Sequence, residues 1–298
     1  MADLTKRSFR IGTHTQLEYQ LAYINPGFEN TVLSHIIGNY MNNSPYPLYL
    51  AIHGKKGEGK TFQTLRVCSK YQIVMYYISG AQLCGSYEKD SIGDIEENFN
   101  EALYKYNSDN EFSVFVIDDF HLSIASTEVG IGRTVNSQIL IGYLMNLADK
   151  AKASKSLRIP VILLGNDFNN LYEPLTRDGR MDFYEWNPST QEKIAIVLAH
   201  FDDIVDRRDI SGLQSLVQKY SSNPISFFTE VKNDIGKQML SQKLASNRNW
   251  NLMALLAQLN ASTTNVQITL SQIEQLMIAR LNSANLAIHE ERTGLHHA

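Results

Sequence analysis

The sequence contains few of the features that mark extracellular or membrane-spanning proteins. Its 298 residues include two cysteines, Cys68 and Cys84, which are too few for a disulfide framework and form no C-x-x-C pair. The most apolar runs, at 114–117 and 160–165, are far shorter than the roughly 20 residues that cross a bilayer. The first 16 residues lack the apolar core of a signal peptide. We therefore expect a soluble, intracellular protein in a reducing compartment, without a membrane partner.

The chain also lacks a marked excess of charge. It carries 27 lysine and arginine residues against 31 aspartate and glutamate residues, a formal net charge of −4. The overall composition therefore gives no sign of a basic surface for nucleic acid. Hydrophobic residues make up 43% of the chain and charged residues 19%, which are ordinary globular values and exclude wholesale disorder. The length predicts about two domains, or one domain with a lid.

Short apolar runs alternate with helical patterns along the first two thirds of the chain. The predicted strands are 48–53, 73–78, 112–117, 161–164 and 183–186. The predicted helices are 28–41, 61–71, 95–106 and 135–152. Strands that alternate with helices favour an α/β fold with a parallel sheet and helices on both faces.

Strand patterns stop near residue 187, and helical periodicity continues from there to about residue 290. The sequence therefore predicts a domain boundary near residue 188. We expect an N-terminal arm over 1–26, an α/β nucleotide-binding domain over 27–188, and a helical domain with a C-terminal tail over 189–298.

A glycine-rich segment between a predicted strand and a predicted helix carries the most specific signal. Residues 54–61 read Gly-Lys-Lys-Gly-Glu-Gly-Lys-Thr and match the phosphate-loop pattern G-x-x-x-x-G-K-[ST] in full. Glycines let the backbone adopt positive φ and approach an anion, which the exposed amides at the helix N-terminus can then bind. The alternative, a glycine-rich turn with exposed lysines, does not account for both flanks.

The motif assigns specific roles within this loop. Lys60 is expected to reach the β- and γ-phosphates of a nucleotide, and the hydroxyl of Thr61 is expected to hold Mg²⁺. The predicted ATP-binding residues of the loop are Gly54, Lys56, Gly57, Glu58, Gly59, Lys60, Thr61 and Phe62.

Two acidic residues, Asp118 and Asp119, follow the predicted strand at 112–117. In a doubly wound sheet the carboxyl ends of the strands line the ligand crevice, so both carboxylates are expected near the phosphates. One carboxylate at such a place holds Mg²⁺ directly or through water, and a second orients the attacking water. We assign Asp118 mainly to the metal and Asp119 mainly to water activation. The reverse order stays open, as does the alternative of two solvated acids that end a strand.

Polar residues suited to phosphate contact follow the predicted strand at 161–164. Asn166 is predicted to bridge the γ-phosphate and the attacking water, the alternative being a turn asparagine. Arg177 and Arg180 lie three residues apart, and their planar guanidinium groups suit phosphate better than lysine does. An arginine finger contributes roughly 10³–10⁵ in rate. The alternative is a surface network of these arginines with Asp178.

Three segments together resemble the Rubisco activases, a family of AAA+ ATPases. They are IHGKKGEGKTFQ at 52–63, TVNSQ…LMNLAD at 134–149, and IPVILLGNDFNNLYEPLTRDGRMDFYEW at 159–186. The phosphate loop is common to many ATPases, whereas the GNDF…LY-PL-RDGRM string is much more specific. Weaker matches extend the resemblance from about residue 26 to about residue 290.

The resemblance implies a five-stranded parallel AAA+ core followed by a small α-helical lid, in subunits that assemble as a hexameric ring. ATP and Mg²⁺ would lie between neighbouring subunits, with Asn166 as the first sensor and Arg177 and Arg180 acting in trans on the ATP of the neighbour. The family uses ATP hydrolysis to thread or tug part of inhibited Rubisco through a central pore, which releases tightly bound sugar phosphates. The implied location is the cyanobacterial cytoplasm or carboxysome, or the chloroplast stroma.

Several positions depart from the family pattern. The family usually reads I-N-D-L-D at its Walker B strand, where this chain has Ile117-Asp118-Asp119-Phe120-His121, so the shared acid is Asp119. The lid motif carries an arginine where this chain has Lys232, so the resemblance implies that Lys232 contacts the nucleotide. Lysine keeps the charge but loses the bidentate fork of arginine. The pore-loop regions at 78–94 and 123–134 differ most.

These departures leave three functions open. The first is an activase-like ATPase that remodels inhibited Rubisco, and the second is an ATPase of the same family that remodels a different client. The third is a nucleotide-gated assembly scaffold with slow hydrolysis. A DNA-loading ATPase is not expected, because the charge balance is acidic and no basic extension is present.

Overall fold

The computed structural model describes residues 10–11, 23–83, 88–120, 135–153, 158–169, 171, 173–177, 179–246, 251–261 and 268–293. The chain divides into two compact units, Met1–Asn187 and Pro188–Ala298. Within the described residues, no helix is long and apolar enough to span a membrane.

The first unit is built on a mixed sheet of six strands. These are β1 (Arg10–Ile11), β2 (Tyr49–His53), β3 (Val74–Ser79), β4 (Ser113–Asp118), β5 (Val161–Leu164) and β6 (Met181–Glu185). Their order across the sheet is β1-β3-β4-β5-β2-β6. The strands β3, β4, β5, β2 and β6 are parallel, which confirms the predicted five-stranded parallel sheet, and β1 is antiparallel to β3.

The helices of this unit are α1 (Pro26–Tyr40), α2 (Lys60–Lys70), α3 (Gly80–Leu83), α4 (Glu88–Asp109), α5 (Val135–Ala153) and α6 (Glu173–Thr176). The central strands are apolar almost throughout because both of their faces are buried, as the continuous apolar runs in the sequence predict. Phe115, Ile117, Val161 and Leu163 lie in one buried cluster with Leu144. This packing fixes the carboxyl ends of β4 and β5, where the polar residues follow.

The start of α1 differs from the sequence prediction of residue 28. Asn25 is the N-cap, and its side-chain oxygen accepts a hydrogen bond of 2.9 Å from the amide of Phe28. Pro26 occupies the first turn, where its fixed φ and missing N–H are tolerated. The Asn25-Pro26 pair therefore begins the helix, although it lies at the end of the predicted N-terminal arm.

Strand β1 is an addition to the predicted fold, because it lies inside the predicted N-terminal arm. Arg10 pairs with Tyr76 and Ile11 with Met75 in antiparallel register. The guanidinium of Arg10 also donates hydrogen bonds of 2.8 and 2.7 Å to the carboxylate of Glu111. Two residues carry no alternating pattern, so the sequence gives no signal for this strand.

The second unit is helical in its described residues. Its helices are α7 (Thr190–Phe201), α8 (Ile210–Lys219), α9 (Ile225–Ser246), α10 (Leu252–Ala261) and α11 (Leu270–Thr293), with a 3₁₀ turn at Arg207–Asp209. Helix α7 begins with a capping box, in which Ser189 and Glu192 satisfy each other's backbone amides. The core of the unit holds Phe201, Phe228 and Met277, all fully buried.

Candidate nucleotide-binding site

The phosphate loop connects β2 to α2, and its glycines use the freedom that the sequence predicts. Gly57 and Gly59 have φ of 80° and 82°, in the left-handed region that disfavours other residues. Gly54 has φ of 145°, and a Cβ on it would lie 2.1 Å from the backbone oxygen of Trp186. The backbone of Gly54 therefore lies directly against the residue that follows β6, and this contact fixes the phosphate loop at the edge of the sheet.

The Lys60 ammonium group is directed into the loop. Its Nζ donates hydrogen bonds to the backbone oxygens of Gly54 at 2.8 Å and Lys55 at 3.0 Å, and lies 3.4 Å from Oδ1 of Asn166. Burial lowers the pKa of Lys60, and the carboxylates of Asp118 and Asp119 act in the opposite direction. The structure thus brings the predicted phosphate lysine and the predicted sensor asparagine together.

Asp118 is held by three hydrogen bonds at the end of β4. Its Oδ2 accepts from the hydroxyl of Thr61 at 2.8 Å and from the hydroxyl of Tyr77 at 2.8 Å. Its Oδ1 accepts from the amide of Asp119 at 2.9 Å. Thr61 and Asp118, the two residues predicted to hold Mg²⁺, therefore contact each other directly.

Asp119 has different surroundings. It adopts φ of 51°, which is uncommon for a residue other than glycine, and its side chain is exposed. Its backbone oxygen lies so close to Gly80 that a Cβ on that glycine would be 2.5 Å away. The left-handed turn therefore directs consecutive carboxylates differently, with Asp118 turned onto Thr61 and Asp119 left accessible.

The remaining predicted residues of the loop differ in their environments. Lys56 is exposed, and Phe62 is half-buried with the guanidinium carbon of Arg66 at 5.9 Å from its ring centre. Glu58 is buried, and its backbone oxygen accepts a hydrogen bond of 2.7 Å from the indole of Trp186. Their roles in ATP binding stay predictions, and the observed contacts of Glu58 and Phe62 are structural ones.

Arg180 and Arg177 are not equivalent. Arg180 donates two hydrogen bonds, of 2.8 and 2.7 Å, to the carboxylate of Asp149 on α5, and its Nη1 contacts the backbone oxygen of Pro174. The Arg177 side chain is exposed, and it has no hydrogen-bond partner within the described part of the chain. Asp178, the partner considered from sequence, lies outside the described residues.

Lys232 belongs to the second unit, where it ties α9 to the end of α7. Its Nζ donates hydrogen bonds of 2.6 Å to the carboxylate of Asp203 and 2.6 Å to the backbone oxygen of His200. A cation at a helix C-terminus is favourable because the last carbonyls carry partial negative charge. Its predicted contact with nucleotide stays a prediction.

Two residues of the site are missing from the sequence prediction. Tyr77 lies on β3, and only the strand order, which puts β3 beside β4, brings its hydroxyl to Asp118. Trp186 marks the end of a predicted strand, but its contact with Glu58 depends on the neighbouring position of β6 and β2. A tyrosine near the end of a strand is a signal that sequence analysis could use once the neighbouring strand is known.

The donor set fits a magnesium nucleotide. Mg²⁺ prefers oxygen ligands and is usually held by one or two protein side chains together with the substrate phosphates. Thr61 and Asp118 supply such oxygens, while Lys60 and the amides that begin α2 supply positive charge for phosphate. The described residues contain no cluster of three or more His, Cys, Asp or Glu side chains that could form a metal cage of their own.

A phosphate loop between the parallel strand β2 and a helix, with an acidic residue at the end of β4 two strands away, is the arrangement found in P-loop ATPases. Residues 50–189 match the family model for the "ATPase family associated with various cellular activities (AAA)". The chain belongs to this AAA family, which the family model describes as a family of ATPases.

The curated relatives include ribulose bisphosphate carboxylase/oxygenase activases. The activase of Anabaena sp. (strain CA / ATCC 33047) is 33% identical over 225 residues, which cover 72% of this chain and 54% of the relative. The chloroplastic activase of Chlamydomonas reinhardtii is 31% identical over 239 residues, covering 74% and 56%. That of Spinacia oleracea is 28% identical over 256 residues, covering 76% and 52%. The resemblance noted in the sequence is confirmed, and the chain spans about half the length of these relatives.

Proposed function

We propose that the chain binds Mg-ATP and uses its hydrolysis to remodel a protein client, namely inhibited Rubisco. The observation that carries the proposal is the contact of Thr61 with Asp118 beside Lys60, inside a chain about 30% identical to Rubisco activases. Bound Mg²⁺ would neutralise charge on the phosphates. The protein is proposed to act as a homo-oligomer, a hexameric ring in the form that the resemblance implies.

In this proposal each side chain has a distinct task. Lys60 exchanges its hydrogen bonds to the loop carbonyls for contacts with phosphate. Thr61 holds the metal through its oxygen while its hydroxyl donates a hydrogen bond to Asp118. Asp119, accessible in its left-handed turn, accepts a proton from the attacking water, and Asn166 orients that water. Arg177 and Arg180 act on the ATP of a neighbouring subunit, and Lys232 links the helical unit to the nucleotide.

Two observations favour an alternative, a nucleotide-gated scaffold with slow hydrolysis. Arg180 is bound to Asp149, and Lys232 is bound to Asp203, so two of the cations assigned to nucleotide have carboxylate partners within their own unit. Each ion pair would have to break before its cation could contact the nucleotide, and the free energy needed for this would slow ATP turnover. A family ATPase acting on a different client is the third possibility, and the divergent regions at 78–94 and 123–134 support it.

The test is the recovery of sugar-phosphate-inhibited Rubisco from the same organism, with ATP and this protein. We expect ATP-dependent recovery that the Lys60→Ala variant does not support, because that variant lacks the ammonium group for phosphate. Lys105→Ala, which removes a partly exposed lysine on α4 that pairs only with Asp109 among the described residues, is the matched control and should behave as the unaltered protein.

The outcomes separate the three functions. ATP hydrolysis without Rubisco recovery would overturn the client assignment and favour another client. Tight ATP binding with turnover below the rate of subunit exchange would favour the scaffold. Equal ATPase activity of Lys60→Ala and the unaltered protein would overturn the site itself.

A further inference from the structure

We propose that Tyr77 is a positioning residue of the magnesium site, which holds the Asp118 carboxylate where it accepts a hydrogen bond from Thr61 and thereby orients the Thr61 oxygen toward Mg²⁺. The inference rests on the proposed Mg-ATP function and deepens it. Tyr77 lies outside the phosphate loop and outside the acidic pair, so neither motif assigns it a role.

The fold brings Tyr77 to Asp118 by strand register. In the β3–β4 ladder Ser79 pairs with Asp118 and Tyr77 pairs with Val116. Residues two apart on a strand share a face, so Tyr77 and Asp118 are diagonal neighbours on the same face of the sheet. The phenol bridges this diagonal with a hydrogen bond of 2.8 Å.

Three hydrogen bonds fix the orientation of the Asp118 carboxylate. Its Oδ2 accepts from two hydroxyls, those of Thr61 and Tyr77, and an oxygen of a carboxylate has two lone pairs in its plane. Its Oδ1 already accepts from the amide of Asp119. Rotation of Asp118 away from Thr61 would break charge-assisted hydrogen bonds, which are among the stronger kinds in proteins.

The arrangement has a direct consequence for Thr61. Because the Thr61 hydroxyl donates its hydrogen bond to Asp118, the lone pairs of the Thr61 oxygen remain available for a cation. If Asp118 rotated, Thr61 would lose this orientation. Tyr77 opposes that rotation from the side of β3, because its hydroxyl donates a hydrogen bond to the same carboxylate oxygen.

The chain offers a matched control one residue away. Tyr76 is fully buried on the opposite face of β3, and its hydroxyl has no hydrogen-bond partner among the described residues. Tyr76→Phe and Tyr77→Phe therefore remove the same atom from the same strand. Only the second removes a contact with the site.

The experiment measures equilibrium ATP binding by calorimetry at increasing Mg²⁺ concentrations for the unaltered protein, Tyr77→Phe and Tyr76→Phe. We expect Tyr77→Phe to require about tenfold more Mg²⁺ for half-maximal enhancement of ATP affinity, the size expected when a hydrogen bond to a charged group is lost. ATP binding without Mg²⁺ should stay within about twofold. The concentration of Mg²⁺ for half-maximal turnover should shift in parallel, and Tyr76→Phe should match the unaltered protein.

Other results would overturn either the role of Tyr77 or the proposed function, and the two failures are distinguishable. Equal Mg²⁺ dependence in the two tyrosine variants would overturn the inference while leaving the proposed function intact. Loss of Mg²⁺-free ATP binding in Tyr77→Phe but not in Tyr76→Phe would show a general packing role and also overturn the inference. Absence of ATP binding in the unaltered protein would instead overturn the proposed function, and this inference with it.

Discussion

Asp118 and Asp119 are adjacent and chemically identical, yet their surroundings differ, in line with the separate tasks proposed for them. Three hydrogen bonds hold Asp118, whereas the exposed Asp119 carboxylate follows a left-handed turn. We expect Asp119→Asn to lower ATP turnover by about 10²-fold or more, because an amide cannot accept the proton of water, while ATP affinity changes less than threefold. Steady-state turnover and equilibrium binding of ATP measure the two effects.

The control for this prediction is Asp109→Asn on α4, which neutralises an exposed acid away from the site. It should leave both turnover and affinity unchanged. If Asp119→Asn retained most of its turnover while Asp118→Asn lost it, the two acids would have the reverse assignment, which the sequence leaves open.

The residues that a motif encodes were predictable, and those that only the strand order assembles were not. Lys60, Thr61 and Asp118 follow from a loop pattern and an acid at the end of a strand, and they meet as expected. Tyr77 and Trp186 lie on strands whose neighbours cannot be read from local pattern. Their contacts become visible only when β3 lies beside β4 and β6 beside β2.

Among the elements, α1 contains a buried histidine that links it to the sheet. His35 donates through Nε2 to the backbone oxygen of Val161 on β5 at 3.2 Å. Burial lowers the pKa of His35 to about 4. In the unfolded chain His35 takes up a proton at its ordinary pKa of about 6.5, whereas in the folded chain it does so only near pH 4. The free energy of unfolding is therefore unaffected by His35 above about pH 6.5 and falls as the pH drops from about 6.5 to about 4.

We expect His35 to contribute a loss of roughly 3 kcal/mol in the free energy of unfolding across this pH range, at about 1.4 kcal/mol per pH unit. Urea unfolding between pH 4 and pH 8 measures it. His35→Gln keeps an N–H donor but does not titrate, so its stability should fall less steeply in acid. Identical pH profiles for the two proteins would contradict the prediction.

Element boundaries were predictable where apolar spacing carries the signal. The strand β5 matches its predicted range of 161–164, and the other predicted parallel strands lie within two residues of their observed bounds. Helix α4 begins at Glu88, seven residues before the predicted start, because its first turns are polar and show no apolar periodicity. Acidic residues near a helix N-terminus are favourable to its dipole, a weaker signal than apolar spacing.

At the scale of the whole molecule, the proposed assembly can be tested by mixing variants. Arg180→Ala should lower turnover because the neighbour loses its arginine, and Asp119→Asn should lower it within its own site. In a mixed ring, a subunit that retains Asp119 can lie beside a neighbour that retains Arg180, and the site between them is complete. We therefore expect mixtures to recover part of the turnover that each variant lacks, measured across a series of mixing ratios.

Arg180 also has a partner in its own subunit, which supplies a control. Asp149→Asn breaks the same ion pair but leaves the arginine in place. If Arg180→Ala acted only through loss of this pair, Asp149→Asn would lower turnover equally and mixing would restore nothing. That pattern would contradict action in trans.

The short strand β1 bears on the handling of the protein outside its native context. It covers the backbone of Met75 and Tyr76 at the outer edge of the sheet, and the Arg10–Glu111 pair secures it there. An uncovered edge strand offers free donors and acceptors to any other extended chain and promotes aggregation. Shortened versions that start at α1 would keep every residue proposed to bind nucleotide and yet expose this edge, so we expect them to be less soluble than the longer chain.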